Sequence, residues 1–335
     1  PGDFRKRMTK VAVIGAGLSG LVVAQRLGSV ADVTVFEKSR GPGGRLSTRY
    51  AGDFEFDHGA QYFTARTHPF RSFLEPLIDE GTVARWHARI ADFADGPPGR
   101  LDDSEHVEPR YVGAPRMNRI GKRLASGLNV SLETTITEIA RLDGGWRLTD
   151  SDGRQHATFD WLVLAAPAAQ TATLGAAFPA LVAYCRERPM LGCFAVMLGF
   201  TEHLNLEWQA ARVQNADVAW IADNSSKPGR KELFTLVIHS SNGWAERHME
   251  DDRDATLEHL LHAAESATGV KLDHAVHRQV HRWRYANANP RNGTDFFLDE
   301  SSALAACGDW CLRGRVEDAF TSGYALASRI IACAE

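Results

Sequence analysis

A glycine turn near the N-terminus constrains this fold more than any other feature of the sequence. Val11 to Ile14 form a short apolar run, which predicts a buried parallel strand. The turn GAGLSG follows, and its glycines permit a tight bend, close approach of a pyrophosphate and close packing of the next helix. A second strand, VTVFE, ends at Glu37, 22 residues after Gly15, where an acid is placed to bind a ribose. The pattern predicts a dinucleotide-binding Rossmann-like unit, with ligand contacts from Gly15, Ala16, Gly17, Ser19, Gly20, Glu37 and Lys38.

A second glycine-rich stretch, SRGPGGRLSTRY, follows the acidic strand and is itself followed by FDHGAQYF. Together these runs resemble the glycine-doublet signature of FAD-dependent amine oxidases and their relatives. The resemblance implies that Gly43 and Gly44 let the chain pass close to the cofactor and that Arg45 contacts it. It also implies that Gln61 and Tyr62 lie beside the isoalloxazine ring.

The C-terminal stretch ACGDWCLRGRVEDAFTSGYALASRI resembles the C-terminal flavin motif of the same superfamily. By that resemblance, Asp309 binds the ribityl or pyrophosphate part of FAD. A helix N-terminus, formed by Val316, Glu317 and Ala319, faces the pyrimidine edge of the flavin, where it stabilises negative charge on the reduced ring. Carboxylates are also favoured in the first turn of any helix, so an ordinary helix start remains an alternative for these residues.

The middle of the chain predicts an α/β protein of two interleaved domains. Short strands and DGG and SDG turns precede the apolar run Trp161 to Ala165, which predicts a strand returning to the cofactor sheet, with Ile136 near the adenine. We predict a Rossmann-like FAD-binding domain at 8–65, 109–169 and 293–335. An α+β substrate domain, built on an antiparallel sheet, is predicted at 66–108, which contains the turn Asp95 to Gly99, and at 170–292. The expected architecture is that of the amine oxidases and p-hydroxybenzoate hydroxylase.

Composition excludes several classes of function. The 335-residue chain carries a formal net charge of −4, which disfavours a nucleic-acid partner, and its apolar runs are too short to cross a membrane. Its five cysteines, an odd number, disfavour a disulfide scaffold and predict a cytoplasmic protein. No G-x-S-x-G elbow is present, so a hydrolase is not expected.

The histidine-rich run HAVHRQVHRWRYA predicts a strand in which His277, His281, Trp283 and Tyr285 share one face. His277 and His281 would lie about 13 Å apart in a strand, too far to share a metal ion, so no metal is expected. His281, Trp283 and Tyr285 are candidates for a pocket that holds a flat ring; ordinary sheet packing is the alternative.

The strings VIGAGLSG, GPGGRLSTR, FDHGAQYFT, LAAP and HRWRYA together resemble the renalase family, including its bacterial members. The resemblance implies non-covalent FAD and a dihydronicotinamide dinucleotide substrate, a 2-dihydro or 6-dihydro isomer of NAD(P)H. That substrate would be oxidised to NAD(P)+, and O2 would reoxidise the flavin to give hydrogen peroxide. Hydride transfer depends mainly on stacking and positioning, so no catalytic acid or base is assigned.

One position departs from the amine oxidases. Those enzymes carry an aromatic residue shortly before the glutamate of the C-terminal motif, where this chain has Arg315. An arginine would repel an ammonium substrate and tolerate an anionic one, so Arg315 is a further candidate for the substrate pocket; a surface position is the alternative. An amine oxidase, a desaturase of another small substrate and a non-catalytic FAD-binding protein remain alternatives. The isomer, the NAD or NADP form and the oligomeric state stay open.

Overall fold

The computed structural model describes residues 8–94, 101–102, 108–290 and 293–334. The predicted turn at Asp95 to Gly99 lies outside these residues. The chain folds into two compact units and passes between them four times. The first unit contains the chain up to Gly44, the segment Gly121–Met190 and the chain from Ala288 onward. The second contains Arg45–Ile120 and Leu191–Asn287.

The helices and strands alternate along the chain. The strands are β1 (Thr9–Ile14), β2 (Ala31–Phe36), β3 (Arg49–Ala51), β4 (Phe54–Phe56), β5 (Val83–Arg85), β6 (Ile90–Phe93), β7 (Leu101–Asp102), β8 (Tyr111–Gly113), β9 (Asn129–Ser131), β10 (Ile136–Leu142), β11 (Gly145–Asp150), β12 (Trp161–Leu164), β13 (Met190–Gly199), β14 (Ala210–Val213), β15 (Val218–Asp223), β16 (Thr235–Ser240), β17 (His277–Ala288), β18 (Phe297–Asp299) and β19 (Leu304–Ala306). The helices are α1 (Leu18–Leu27), α2 (His68–Asp79), α3 (Asn118–Ala125), α4 (Ala168–Leu174), α5 (Pro179–Arg186), α6 (Asn242–His248), α7 (Arg253–Thr268) and α8 (Val316–Ala334).

The first unit is built on a six-stranded sheet in the order β18-β19-β12-β1-β2-β9. Strands β19, β12, β1, β2 and β9 pair in parallel, and β18 adds an antiparallel edge. Helices α1 and α8 pack against each other so closely that a Cβ at Gly323 would lie 2.5 Å from the Ser19 carbonyl oxygen. Because the carboxyl ends of parallel strands share one edge of a sheet, the segments after β1, β2 and β19 meet there.

The second unit is built on a seven-stranded sheet in the order β17-β13-β16-β15-β14-β6-β7. Its pairings are antiparallel for β13–β16, β16–β15, β15–β14 and β6–β7, whereas β14 and β6 run parallel. Helices α6 and α7 cover one face, and their residues Trp244, Leu257 and Leu260 join the buried core of the sheet. The predicted antiparallel sheet is therefore present with one parallel pair.

The two units divide at different points from the predicted domains. Residues 45–65 and 109–120 fold with the second unit, because Phe56 of β4 packs on Met197 and Val237 of its sheet. Residues 170–190 fold with the first unit, because Leu181 and Cys185 of α5 are buried in its core. Residues 288–290 also belong to the first unit.

Local elements follow the apolar patterns except at one helix end. The predicted amphipathic helix with Ile120, Leu124 and Leu128 on one side ends at Ala125 in the structure. Gly127 adopts a φ of 83°, a left-handed conformation that stops the helix and leaves Leu128 beyond it. Among the described residues, no helix combines the length and apolarity needed to cross a membrane.

Candidate functional site

The glycine turn of the first unit connects β1 to α1 at the carboxyl edge of the sheet. The amide of Gly15 donates to the Phe36 carbonyl at the end of β2, at 2.8 Å, which fixes the turn against the neighbouring strand. A Cβ at Gly20 would lie 2.0 Å from the Gly15 carbonyl oxygen, so only glycine permits this approach of helix to strand. The sequence predicted this packing role for the third glycine of the motif.

Glu37 orients this turn from the end of β2. One carboxylate oxygen accepts from the amide of Ala16 at 2.8 Å, and the other accepts from the amide of Ser39 at 2.8 Å. The side chain is buried and acceptor-only, and a carboxylate has about four lone-pair sites, so two remain for ribose hydroxyls. Lys38, the next residue, is exposed.

The glycine doublet lies directly against the glycine turn. Gly43 forms an isolated parallel bridge with Gly17, and its amide donates to the Ala16 carbonyl at 2.8 Å. Gly43 and Gly44 adopt φ angles of 122° and 56°, which L side chains rarely adopt. The predicted role of the doublet, close passage of the chain, therefore has a geometric basis in the first unit alone.

This corner of the first unit fits a dinucleotide pyrophosphate. A Cβ at Gly17 would meet no protein atom within 4 Å, so the described residues leave open space at the N-terminus of α1. No side chain caps that N-terminus and its first turn contains no acid, so its amides and partial positive charge are available to phosphates. Ser19 is turned away, because its hydroxyl donates to the Ala319 carbonyl at 2.5 Å.

The C-terminal motif lies at the same edge of the first sheet. Asp309 follows β19 and is buried, and the amide of Gly308 donates to the Ser322 hydroxyl at 3.0 Å. Helix α8 begins at Val316, as the sequence predicts, and Glu317 in its first turn is buried. Ile136 opens β10 and is buried in the core of the first unit.

Arg315 forms the N-terminal cap region of α8. Its carbonyl accepts the first helical hydrogen bond, from Ala319 at 3.1 Å. Asp318 reaches back to accept from the Arg315 amide at 3.0 Å and from its guanidinium at 2.9 Å. This reciprocal arrangement is a capping interaction, which gives Arg315 a structural role in addition to the predicted one in the substrate pocket.

The second unit contains a buried ionic cluster that the sequence did not predict. The Lys227 ammonium lies 3.6 Å from a carboxylate oxygen of Asp57, and both side chains are almost completely buried. Arg230 pairs with the same carboxylate, whose other oxygen accepts from Thr48. Burial alone would raise the pKa of Asp57, but the positive charges of Lys227 and Arg230 outweigh it and leave that pKa lowered.

Gln61 connects this ionic cluster to the imidazoles. Its amide nitrogen donates to the Asp57 and Gly59 carbonyls at 2.5 and 3.1 Å, while its oxygen accepts from Lys227 at 3.3 Å. Lys227 also donates to the Asn224 oxygen at 3.2 Å. Burial lowers the pKa of Lys227 to about 8, so the ammonium is charged at neutral pH and titrates just above it.

Three histidines and Trp283 form a second group, which we call the imidazole cluster: His58, His239, His281 and Trp283. Trp283 stacks on His58 with ring centroids 5.1 Å apart, and its Nε1 donates to the His58 carbonyl at 2.9 Å. His281 packs edge-on against both rings, and His239 contacts the same carbonyl at 3.2 Å.

Burial keeps the imidazoles of this cluster neutral. It lowers the pKa of His58 to about 3, with the neighbouring His281 and Arg49 contributing in the same direction. Burial also lowers the pKa of His239 and of His281 to about 4. The cluster therefore offers neutral donors and acceptors throughout the physiological pH range.

The remaining predicted residues of the second unit lie near these groups. The guanidinium of Arg45 donates to the Ala286 carbonyl at 2.8 Å, immediately after HRWRY. Tyr62 is half-buried and contacts Trp220, with ring centroids 5.5 Å apart. Tyr285 is half-buried on β17, on the same alternation as His281 and Trp283. Among the described residues, no group of three or more His, Cys, Asp or Glu side chains could hold a metal ion.

The geometry defines a protein with a dinucleotide-binding Rossmann unit and a separate unit that holds a buried polar cluster. A family model for the NAD(P)-binding Rossmann-like domain matches residues 13–77. A second model, for flavin containing amine oxidoreductases, matches residues 98–331, more than half of the chain. This chain belongs to the flavin containing amine oxidoreductase family.

Individual proteins resemble this chain either briefly in sequence or extensively in fold. The 4,4'-diapophytoene desaturase (4,4'-diaponeurosporene-forming) of Staphylococcus aureus strain Newman is 47% identical over 51 residues, 15% of this chain. That match spans only 10% of the desaturase. A candidate protoporphyrinogen oxidase from Exiguobacterium sp. 255-15 is 12% identical with a TM-score of 0.76, covering 96% of this chain and 98% of that one. Cyclohexylamine oxidase from Brevibacterium oxydans IH-35A is 15% identical with a TM-score of 0.73, covering 97% and 99%.

These matches confirm the predicted fold class and the superfamily. A flavin-dependent oxidoreductase is the activity class that the family defines, and its cofactor is a flavin. Structural likeness at 12–15% identity establishes the fold alone.

Proposed function

We propose that this protein is an FAD-dependent oxidase that takes a hydride from misreduced isomers of NAD(P)H, the 2-dihydro or 6-dihydro forms, and releases NAD(P)+. The flavin, when bound, accepts this hydride and passes its two electrons to O2. With the proton of the hydride and one proton from water, O2 becomes hydrogen peroxide. The glycine turn, Glu37 and the glycine doublet would hold FAD without a covalent bond.

One observation carries the proposal. FDHGAQYFT and HRWRYA are the two strings most specific to the renalase resemblance, and they pack on each other within the second unit. Trp283 and His58, 225 positions apart, share a stacked contact and a hydrogen bond of 2.9 Å from Nε1 to the carbonyl. Two strings that contribute to one cluster are expected to serve one purpose, whereas unrelated surface strings would not converge.

The electrostatics of this cluster suit the proposed substrate better than an amine. Lys227 and Arg230 are buried cations beside neutral imidazoles, so an incoming ammonium would meet positive charge and no free buried carboxylate, because Asp57 is already paired with both cations. A dinucleotide is anionic and its dihydropyridine ring is neutral, so neither part is opposed. Hydride transfer from such a ring needs orientation and exclusion of water, which buried neutral side chains provide.

Anaerobic mixing tests the proposal. The purified yellow protein would be combined without oxygen with 2-dihydro-NAD(P), 6-dihydro-NAD(P), ordinary NAD(P)H and a panel of primary amines. We expect rapid bleaching of the flavin absorbance by one dihydro isomer, and admission of air should restore it with one hydrogen peroxide per turnover. Bleaching by an amine alone would replace the proposal with amine oxidation.

A matched pair of variants tests the part played by the imidazole cluster. Trp283→Phe removes the Nε1 donor and keeps an aromatic ring, and we expect it to slow anaerobic bleaching by roughly tenfold. Trp208→Phe changes a tryptophan buried in the apolar core of the same unit, and we expect it to leave the rate unchanged. Equal rates for the two variants would remove the imidazole cluster from the reaction.

A further inference from the structure

We propose that Tyr62, Trp86 and Trp220 form a subsite, here called the aromatic subsite, for an uncharged planar ring that bears a carbonyl group. In this subsite the Nε1–H of Trp220 donates to the carbonyl. The inference rests on the proposed function in one respect: the carboxamide-bearing dihydropyridine ring of the proposed substrate is the ring that we expect there.

The three aromatic side chains are close together and lie outside the apolar cores. The ring of Tyr62 lies 5.5 Å from that of Trp220 and 6.3 Å from that of Trp86. None of them belongs to the apolar clusters found among the described residues, although Trp86 is only 4% exposed. Trp220 and Tyr62 are half-buried, so part of each side chain faces away from protein atoms. Such placement of large aromatic side chains is typical of a binding site rather than of a core.

Trp220 adjoins the imidazole cluster. Its position on β15 is directly opposite His239 on β16, so the two side chains emerge on the same face of the sheet. Gln61, next to Tyr62 in the chain, contacts His239 at 3.5 Å between nitrogen atoms. A ring bound against Tyr62 and Trp220 would therefore lie beside the groups that the proposed function uses.

The indole N–H groups identify the ligand's polar atom. Trp86 Nε1 donates to the Ser226 hydroxyl at 3.2 Å and is satisfied. Trp220 Nε1 is buried and has no hydrogen-bond partner among the described residues. A buried donor without a partner is costly, so a ligand that supplies an acceptor gains the energy of that hydrogen bond. A carbonyl oxygen is such an acceptor, whereas a methyl or ammonium group is not.

The charges at the aromatic subsite disfavour a cationic ligand. The Arg110 guanidinium lies 5.8 Å from the ring centre of Tyr62, and the Lys227 ammonium lies 5.6 Å from that of Trp86. Both distances are within the range of cation–π attraction, so the protein's own cations already use these faces. An added ammonium would compete with them and be repelled, whereas a neutral ring would not.

The experiment uses three probes that differ in one substituent: benzamide with a carbonyl, toluene without an acceptor and benzylamine with an ammonium. Ligand-observed NMR titration of the FAD-loaded protein gives each dissociation constant without any turnover. We expect benzamide to bind roughly tenfold more tightly than toluene, and benzylamine to bind most weakly. This ranking requires no variant, and toluene or benzylamine binding as tightly as benzamide would overturn the inference.

Trp220→Phe keeps a ring and removes the N–H, so we expect the preference for benzamide over toluene to fall to about one. Trp208→Phe is the matched control in the core of the same unit and should retain the preference. An unchanged preference in Trp220→Phe would disprove the role of Trp220.

The same preparations separate this inference from the proposed function. If the wild-type protein oxidises no dihydro isomer but the Trp220-dependent preference is measured, the aromatic subsite stands and the proposed function falls. If an isomer is oxidised and Trp220→Phe alters neither its KM nor the preference for benzamide, the aromatic subsite falls alone.

Discussion

Lys227 shows how a single buried charge can be stabilised by its partners. Its side chain has no measurable exposure, and Asp57, Gln61 and Asn224 surround the ammonium. Four residues away, Lys231 pairs with Glu55 at 3.0 Å but is half-exposed. The two lysines therefore provide a direct comparison of buried and exposed ion pairs in one loop.

We expect Lys227→Met to destabilise the protein by about 3 kcal/mol, because Asp57 remains buried with Arg230 as its only remaining cationic partner in the network. Lys231→Met should cost less than about 1 kcal/mol, as is usual for an exposed pair. Urea unfolding of the FAD-loaded variants, followed by tryptophan fluorescence, measures both. Equal losses for the two variants would show that the buried pair has no special weight.

His239 makes stability depend on pH. Its pKa is lowered by burial from 6.5 to about 4 in the folded state, so between these values the unfolded chain binds a proton that the folded chain does not. Stability is therefore complete above pH 6.5 and falls as the pH decreases toward 4, by about 3 kcal/mol from this residue.

Urea midpoints between pH 7.5 and about 5 test this dependence. His239→Gln should flatten the decline over that range, while the exposed His262→Gln should leave it as in the wild type. A decline that is equally steep in both variants would assign the pH dependence to other groups.

At the scale of elements, the strand–turn–helix at the N-terminus was predictable because its determinants are local. The apolar run, three glycines and an acid are enough to specify β1, α1 and the position of Glu37. The end of α3 was not, because the apolar pattern continues to Leu128 while the left-handed Gly127 stops the helix. The sequence pattern records which residues prefer burial, not where the backbone turns.

Gly17 separates cofactor binding from folding within this element. Its φ is −72°, which alanine adopts freely, and a Cβ would meet no protein atom within 4 Å. We therefore expect Gly17→Ala to fold normally but to bind FAD at least about tenfold more weakly, because the methyl group occupies the approach of the pyrophosphate.

Gly41→Ala is the matched control for that variant, since a Cβ there also meets no protein atom. Fluorescence titration of the apoproteins with FAD compares the two, and far-ultraviolet circular dichroism checks the fold. Unaltered FAD affinity in Gly17→Ala would show that the pyrophosphate does not pass over this turn.

At the scale of the whole molecule, the sequence predicted the interleaving of two domains but not the buried cluster in the second unit. Lys227, Asn224 and Arg230 occur in NSSKPGRK, a polar string that is typical of an exposed loop. Their role arises from Asp57, some 170 positions earlier, and no local pattern records a partner at that distance. The residues of the first unit were accessible because a nucleotide cradle is built from consecutive backbone groups.

The way FAD is held affects the whole molecule, because a ligand that binds only the folded state stabilises it by mass action. At a free FAD concentration one hundred times the dissociation constant, the gain is about 2.7 kcal/mol. We therefore expect the melting temperature of the apoprotein to rise progressively with added FAD and not with added NAD+. Denaturation in acid should release all of the yellow chromophore into the supernatant, because no covalent bond is expected. Chromophore that stays with the precipitate would show a covalent flavin, and a melting temperature raised by NAD+ but not by FAD would assign the first unit to a nicotinamide cofactor.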